Sequence, residues 1–489
     1  MKVAVSYPPL DEFRFATLGQ NRQFQWFHNP SFIYPMVPAW AVTMLKERGH
    51  EVLWNDSIAM RWSAERFRDW MRRERPDLVL FETKTPVVKR HWAIIERLKE
   101  ELPGTLVALC GDHVTALPGE SMRSCPVDYV LTGGDYDFLL VNLAEHLERG
   151  ADLEAGIWFR EKGEITSTGE FVLGHDLDSL PDIDRELTRW DLYGEHLFVK
   201  KPNTYIMSGR DCWYGKCTFC SWTTLYPRFR VRSHEKVLDE VGRLIEGYGV
   251  RELFDDTGTF PVGAWLERFC GGMIDRGYSD RLDISCNARV GAMSKEQFAL
   301  MKRAGFRLLK FGLESANQGT LDRLKKGTTV EDIVESCRMA KKAGLTVHLT
   351  TMVGYPWESR ADAENTLELA RTLLTSGYAD MLQATIVIPY PGTPLFDEAR
   401  ERGWLRTTDW DRYDMSAPVL VSPIQDEEIK KLTQGLYRAF LSPRFLGRTL
   451  ISIRSFDDIR FIGRAGMAVL GHLKDFTSRR NAGTDNRQS

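Results

Sequence analysis

Short apolar runs separated by amphipathic stretches recur in two blocks of this chain, and that recurrence limits the fold more than any other feature. In residues 1–150 the runs are Val3–Val5, Val52–Trp54, Leu78–Phe81, Leu106–Leu109 and Tyr129–Leu131. From Tyr205 to Trp404 six more follow: Tyr205–Ser208, Glu252–Asp255, Leu282–Cys286, Leu308–Gly312, Thr346–Met352 and Met381–Val387. Helical stretches such as Ala39–Leu45, Lys236–Tyr248, Lys295–Ala304 and Ala361–Thr375 lie between them. Strand and helix in alternation build parallel sheets whose helices cover the faces. The fold class is therefore α/β. A Rossmann-like domain is expected over residues 1–150 and a partial (β/α)6 barrel over residues 201–405. Residues 151–200, with a hairpin-like pair Ile157–Arg160 and Glu170–Leu173, read as a linker. Residues 406–489 read as a helical region ending in a disordered tail.

Both architectures bind ligands at the carboxyl ends of their strands. Three cysteines fall at the first such end of the second block: Cys212, Cys217 and Cys220 follow the apolar run Thr204–Ser208 within nine residues. A zinc site would ask for a second pair of Cys or His ligands at matching spacing, and none follows. The other cysteines, Cys110, Cys125, Cys270, Cys286 and Cys337, are scattered singly, which suits buried apolar positions and a reducing compartment. Thiolates are the normal ligands of iron–sulfur clusters, and three of them hold three irons of a four-iron cluster while leaving the fourth open. The first gap, Trp213-Tyr-Gly-Lys216, contains Gly215, which can take a conformation that other residues avoid.

Polar and charged groups gather at the other strand ends. In the second block these are Phe254-Asp-Asp-Thr-Gly258, Cys286-Asn-Ala-Arg289, Gly312-Leu-Glu-Ser315, Met352–Glu358 and Pro389–Thr393. In the first block they are Thr83, Thr85, Gly111–Thr115 and Thr132–Asp135. With 489 residues and 43% hydrophobic content the chain can bury more than one core. A formal net charge of −3 argues against a nucleic-acid partner, and no run of eighteen apolar residues appears.

The cysteine segment resembles the radical S-adenosylmethionine (SAM) superfamily, whose usual spacing is C-x3-C-x2-C with an aromatic residue before the last cysteine. Phe219 supplies the aromatic, while the first gap is one residue longer. The first block resembles the cobalamin-binding domain of one subclass, with Gly111–Glu120 similar to its loop. The segments Phe254–Phe260, Ser285–Arg289, Gly312–Gln318, Leu324–Gly327 and Pro389–Thr393 resemble the branch containing anaerobic magnesium-protoporphyrin ester cyclase and the hopanoid-biosynthesis enzymes.

The resemblance implies a [4Fe–4S] cluster on Cys212, Cys217 and Cys220. It implies SAM contacts from Phe219, Asp256, Arg289, Glu314, Ser315, Val353 and Gly354, with Arg289 facing the methionyl carboxylate and Glu314 the ribose or amino group. It implies a cobalamin near Gly111, Thr115, Thr132 and Gly133. The D-x-H-x-x-G motif that gives cobalt a histidine is absent, so His113 is expected to play another part. The implied activity is reductive cleavage of SAM to a 5′-deoxyadenosyl radical acting on a hydrophobic biosynthetic intermediate, by methylation, rearrangement or cyclisation. The implied partners are a small hydrophobic substrate and an electron donor such as flavodoxin or ferredoxin. A cytoplasmic location is expected, with peripheral contact to the inner membrane face through the basic, apolar C-terminal region. Two rival readings are a SAM- or corrinoid-sensing protein without turnover and a sulfur-inserting enzyme of the same superfamily.

Overall fold

The structure is a computed structural model. It describes residues 1–10, 31–194, 198–437 and, with gaps, 440–475, together with the strand pair Phe15–Ala16 and Trp26–Phe27. Two sheets dominate. The first contains β1 (Lys2–Tyr7), β2 (Glu51–Asp56), β3 (Leu78–Glu82), β4 (Leu106–Cys110), β5 (Tyr129–Leu131), β6 (Ile157–Glu161) and β7 (Glu164–Ser167) in the order β2-β1-β3-β4-β5-β6-β7. Strands β1–β5 pair in parallel.

Alternation along these strands explains the layers. Val3, Val5, Leu78, Leu80, Ala108 and Leu131 pack under helices Met36–Glu47 and Tyr136–Arg149. Their neighbours Ala4, Val79, Phe81, Val107, Leu109 and Val130 pack on the opposite face against Phe67, Trp70, Ile95 and Leu98. Strand order reverses between β1 and β3, so the crevice beyond Tyr7 and Glu82 is the place where such a sheet takes a ligand.

The expected linker carries strands of the first sheet. Its hairpin pairs β6 with Glu164–Ser167, not with Glu170–Leu173. The reason is local: Lys162 and Gly163, with φ of +52° and +90°, form a two-residue turn with both central residues in the left-handed region.

The second sheet runs in simple sequence order: β8 (Asn203–Ile206), β9 (Glu252–Asp255), β10 (Asp283–Ala288), β11 (Phe306–Glu314), β12 (Thr346–Val353) and β13 (Met381–Ile386). All five pairings are parallel. This is the six-stranded partial barrel. Helices capped by Ser233, Ser294, Thr329 and Ser359 return the chain between strands. Beyond it, helix Asp426–Tyr437 sets Ile429 against Val353 and Ile386 beside the last strands. Helices Pro443–Ile451 and Phe456–Asp475 complete the described C-terminal region; the expected tail lies outside the described residues. Cys110, Cys125, Cys270, Cys286 and Cys337 are all buried in the cores.

Candidate active site

The cysteine loop crosses the carboxyl end of the barrel between β8 and helix Trp222–Leu225. Backbone bonds pin it from two sides: Thr218 N donates to the Leu324 carbonyl at 3.0 Å, and Leu395 N donates to the Thr218 carbonyl at 2.9 Å. Trp213 Nε1 donates to the Phe260 carbonyl at 3.3 Å, and Cys212 Sγ lies 3.0 Å from Thr259 Oγ1. Gly215 takes φ +59°, so the longer gap is accommodated at the one residue that bears it without strain.

Burial raises the thiols of Cys217 and Cys220, the latter also under Asp211. A bound cation would offset that penalty, since metal binding drives deprotonation. Among the described residues no three His, Cys, Asp or Glu side chains converge on one point, as a single metal ion requires. A four-iron cluster asks for no such convergence, because each thiolate takes a different iron. Three thiols on one fixed loop suit it.

Next to the loop stands the expected SAM contact Glu314, paired with a lysine that sequence reasoning missed. Glu314 ends β11 at φ +59°, rare for a residue with a side chain, where the register with β12 slips between Gly312 and Glu314. Its Oε1 accepts from Lys326 Nζ at 2.9 Å, and both side chains are largely buried. Lys326 Nζ also lies 5.7 Å from the Phe219 ring centroid. Phe219 packs with Leu324, Met352 and Tyr355. The Tyr355 hydroxyl is buried with no hydrogen-bond partner; burial raises its phenol, with Glu314, Glu358 and Cys217 adding to the shift. An orphaned donor among Cys217, Glu314 and Phe219 fits a polar cofactor in contact with the loop.

Other expected SAM contacts fall differently. Arg289 stacks on Tyr214 with its guanidinium 3.6 Å from the ring centroid, and its Nη2 donates to the carbonyls of Lys326 and Gly327. It braces the Leu324–Gly327 turn against the loop. Ser315 turns away from Glu314 and donates to Glu358 Oε1 at 2.7 Å. Val353 packs beside Ile429, and a Cβ on Gly354 would lie 3.4 Å from Ile429. Asp256 is buried, with its amide on the Ile206 carbonyl. The preceding carboxylate, Asp255, is held by Ser208 and Thr257. The structure thus gathers Phe219 and Glu314 beside the cysteines, but not Ser315.

The carboxyl edge of the first sheet faces this loop. Helix Asp112–Ala116 meets helix Trp222–Leu225, Gly134 N donates to the Leu225 carbonyl at 2.9 Å, and Tyr226 Oη donates to the Gly134 carbonyl at 3.0 Å. Gly111 sits at φ +119°, where a Cβ would lie 2.2 Å from the Thr83 carbonyl. Thr115 Oγ1 donates to the Gly111 carbonyl and accepts from Gly133 N, while Thr132 Oγ1 donates to the Gly156 carbonyl. These four expected cobalamin residues therefore stitch the edge loops together.

At the same edge the hydroxyls of Thr83 and Thr224, from the facing halves, and Glu82 Oε1 are buried without hydrogen-bond partners, which fits a polar ligand between the halves. His113 has both ring nitrogens engaged, Nδ1 with Thr85 at 3.2 Å and Nε2 with Glu120 at 3.1 Å, under Trp410.

Similar proteins agree with this architecture. Residues 206–370 match the family profile of the Radical SAM superfamily. An uncharacterized methyltransferase of Pyrococcus horikoshii is 28% identical, over 86% of this chain and 91% of that protein. The anaerobic magnesium-protoporphyrin IX monomethyl ester cyclase of Cereibacter sphaeroides is 29% identical over 81% of this chain, which spans 64% of the cyclase's length. The structure of the radical SAM methyltransferase TsrM from Kitasatospora setae, with cobalamin and a [4Fe–4S] cluster bound, covers 96% of this chain and 99% of that one at a TM-score of 0.68 and 16% identity. That last likeness establishes the fold.

Proposed function

We propose that this chain, whose residues 206–370 match the Radical SAM superfamily profile, is a radical SAM enzyme that methylates an unactivated carbon of a hydrophobic biosynthetic intermediate of lipid, hopanoid or tetrapyrrole type, with cobalamin held at the first sheet's edge. The observation that carries this reading is the placement of three fixed cysteines beside that edge, where helix Trp222–Leu225, just after the last cysteine, meets helix Asp112–Ala116. The methyltransferase relative supports methylation. The cyclase relative supports ring closure as the second reading.

Cys212, Cys217 and Cys220 would hold three irons of the cluster. When bound, the cluster supplies the electron that splits the sulfonium of SAM into methionine and a 5′-deoxyadenosyl radical. A corrinoid supplies a transferable methyl group. The protein positions these groups and keeps water out. Glu314, steadied by Lys326, would accept from hydroxyl or amino groups of SAM, and the Tyr355 hydroxyl would gain a partner there. Phe219, Leu324 and Met352 wall the site with apolar surface. Thr83 and Thr224 would offer hydroxyls to a corrinoid, while His113 is committed to Thr85 and Glu120.

No helix among the described residues is long and apolar enough to cross a membrane. Peripheral contact with an anionic membrane through residues 443–475 suits a lipid-like substrate and belongs to the same proposal.

Anaerobic reconstitution with iron, sulfide and hydroxocobalamin tests the core of the reading. Corrinoid should survive desalting, its cobalt spectrum should be the same in His113→Ala, and dithionite should drive formation of 5′-deoxyadenosine. A chain that cleaves SAM but retains no corrinoid in any redox state would shift the reaction to cyclisation or rearrangement.

A further inference from the structure

We propose that this chain grips a corrinoid by its ring alone, taking cobinamide, the ring without its nucleotide tail, as readily as cobalamin. This rests on the cobalamin reading and narrows it to the part of the ligand that the site recognises.

A nucleotide tail adds a planar base and a phosphodiester anion to the ring. At the strand ends of a doubly wound sheet, the usual cradle for such a group is a glycine-bearing loop. There the missing side chains leave room and backbone amides face the anion. The loop Thr132–Asp135, with successive glycines at 133 and 134, has that composition at this edge.

Its space is taken by the chain itself. Gly133 lies at φ +79°, and a Cβ there would come within 2.4 Å of the Phe171 ring. A Cβ on Gly156 would lie 2.6 Å from Phe171 Cβ, so Phe171 is wedged between two glycines. A Cβ on Gly134 would lie 1.9 Å from the Tyr226 ring. Both rings belong to one apolar cluster with Leu173, Leu225 and Trp222.

The amides of the loop are committed too. Thr132 N donates to the Gly156 carbonyl at 2.9 Å, Gly133 N to Thr115 Oγ1 at 3.0 Å and Gly134 N to the Leu225 carbonyl at 2.9 Å. The basic groups beside the loop are held by carboxylates of the chain. Asp135 engages Arg210, Arg230 and His175, Asp137 engages Arg210, and Asp112 lies 3.5 Å from Lys84 at the neighbouring strand end. A phosphodiester brought here would meet neither a row of open N–H groups nor an uncompensated cation, and its loss of water would stand uncompensated.

The groups that this edge leaves open are of another kind. The Thr83 and Thr224 hydroxyls and Glu82 Oε1 are buried without hydrogen-bond partners. All three accept from N–H donors, and a corrin ring carries donating primary amides along its rim. The orphaned groups match the ring, and the filled loop leaves the tail without a seat.

Corrinoid-free full-length protein, titrated with hydroxocobalamin and with diaquacobinamide, provides the test. Binding is read from the corrinoid absorbance bands and from cobalt retained after desalting. The two dissociation constants should agree within about threefold, since the groups that bind are common to both ligands. Thr83→Val with Thr224→Val should weaken both by the same factor, on the order of tenfold. Thr83→Ser with Thr224→Ser, which keeps the hydroxyls, should bind like the parent. Cobalamin bound more than about tenfold tighter than cobinamide by the parent overturns the inference, because the tail then has a seat. A loss confined to cobalamin in the valine variant overturns it as well. Binding of neither corrinoid by the parent, in any redox state, instead overturns the cobalamin reading beneath it.

Discussion

Arg210, two residues ahead of Cys212, holds the carboxylate of Asp137 in a buried ion pair that ties the cysteine loop to helix Tyr136–Arg149, with Nη1 2.9 Å from Oδ1. The same Nη1 reaches Asp135 at 2.7 Å, and Arg230 grips Asp135 from the strand pair Gly209–Arg210 and Arg230–Val231. The base of the cysteine loop is thus bolted to the helix start at Tyr136 by a charge network, beside the backbone bonds and apolar contacts that hold its far side.

Removing Arg210 should therefore cost far more than an average contact. Arg210→Ala leaves two carboxylates buried with reduced compensation, a loss of about 3–5 kcal/mol. Urea unfolding of the parent and the variant measures it. Arg210→Met combined with Asp137→Leu should recover part of the loss, because an apolar pair needs no compensation. A loss below about 1 kcal/mol for Arg210→Ala would mean that the pair is hydrated like a surface bridge.

The same network predicts a pH dependence. His175 stacks on Phe138 at 4.1 Å between centroids and lies 3.2 Å from Asp135 and 3.0 Å from Glu154. Burial lowers its pKa, but the hydrogen bonds to Asp135 and Glu154 outweigh that and raise it to about 9. Since the folded value exceeds the unfolded value of about 6.5, the charged ring stabilises the fold fully below that pH. Its contribution fades as pH rises through about 9. In His175→Gln the decline in melting temperature across that alkaline window should flatten. An unchanged slope would assign the decline to other groups.

Cys212→Ala, Cys217→Ala and Cys220→Ala should each abolish SAM cleavage and strip most iron and sulfide from the reconstituted protein. Cys270→Ala and Cys337→Ala, which alter only barrel packing, should keep the cluster while losing about 1–2 kcal/mol of stability. Iron and sulfide assays beside 5′-deoxyadenosine formation separate the two groups. Activity and cluster retention in Cys217→Ala would remove the assignment.

These features were unequally visible in the sequence. Short apolar runs and their helical spacers made the strands legible, because burial on both faces leaves a nearly continuous run in every parallel strand. The cysteine spacing and Gly215 were legible because both are local. The Glu314–Lys326 pair and the Arg289–Tyr214 stack were not, since each joins residues from separate loops and nothing in the sequence sets their approach. Ser315 follows Glu314 directly, yet the register slip at Gly312 and the left-handed backbone of Glu314 turn the two side chains to different neighbours. The ties from Arg210 and Arg230 to Asp135 were hidden for the same reason, although the charges themselves were in plain view.

The C-terminal helices carry the last prediction. Arg448 donates to the Leu374 carbonyl and Arg464 to the Phe198 carbonyl, while Phe445 packs on the barrel core. One side of this region is thereby fixed to the body. The other side leaves Leu446, Leu450, Ile451, Phe456, Ile459 and Met467 exposed, with Ile451 at 83%. Residues 442–489 hold nine Arg and Lys against four Asp in a chain of net charge −3. An apolar face within a basic segment suits the boundary of an anionic bilayer. Full-length protein should sediment with phosphatidylglycerol vesicles, less so in high salt, and weakly with neutral phosphatidylcholine vesicles. Replacing Leu450, Ile451 and Phe456 by Gln should remove about 3 kcal/mol of apolar transfer, on the order of a hundredfold in partitioning, because half-buried side chains contribute part of their full value. A chain ending at Leu441 should fail to sediment. Equal sedimentation of parent and triple variant would count against membrane contact, and loss of a dimer in the triple variant would mark the face as a contact between two copies of the chain.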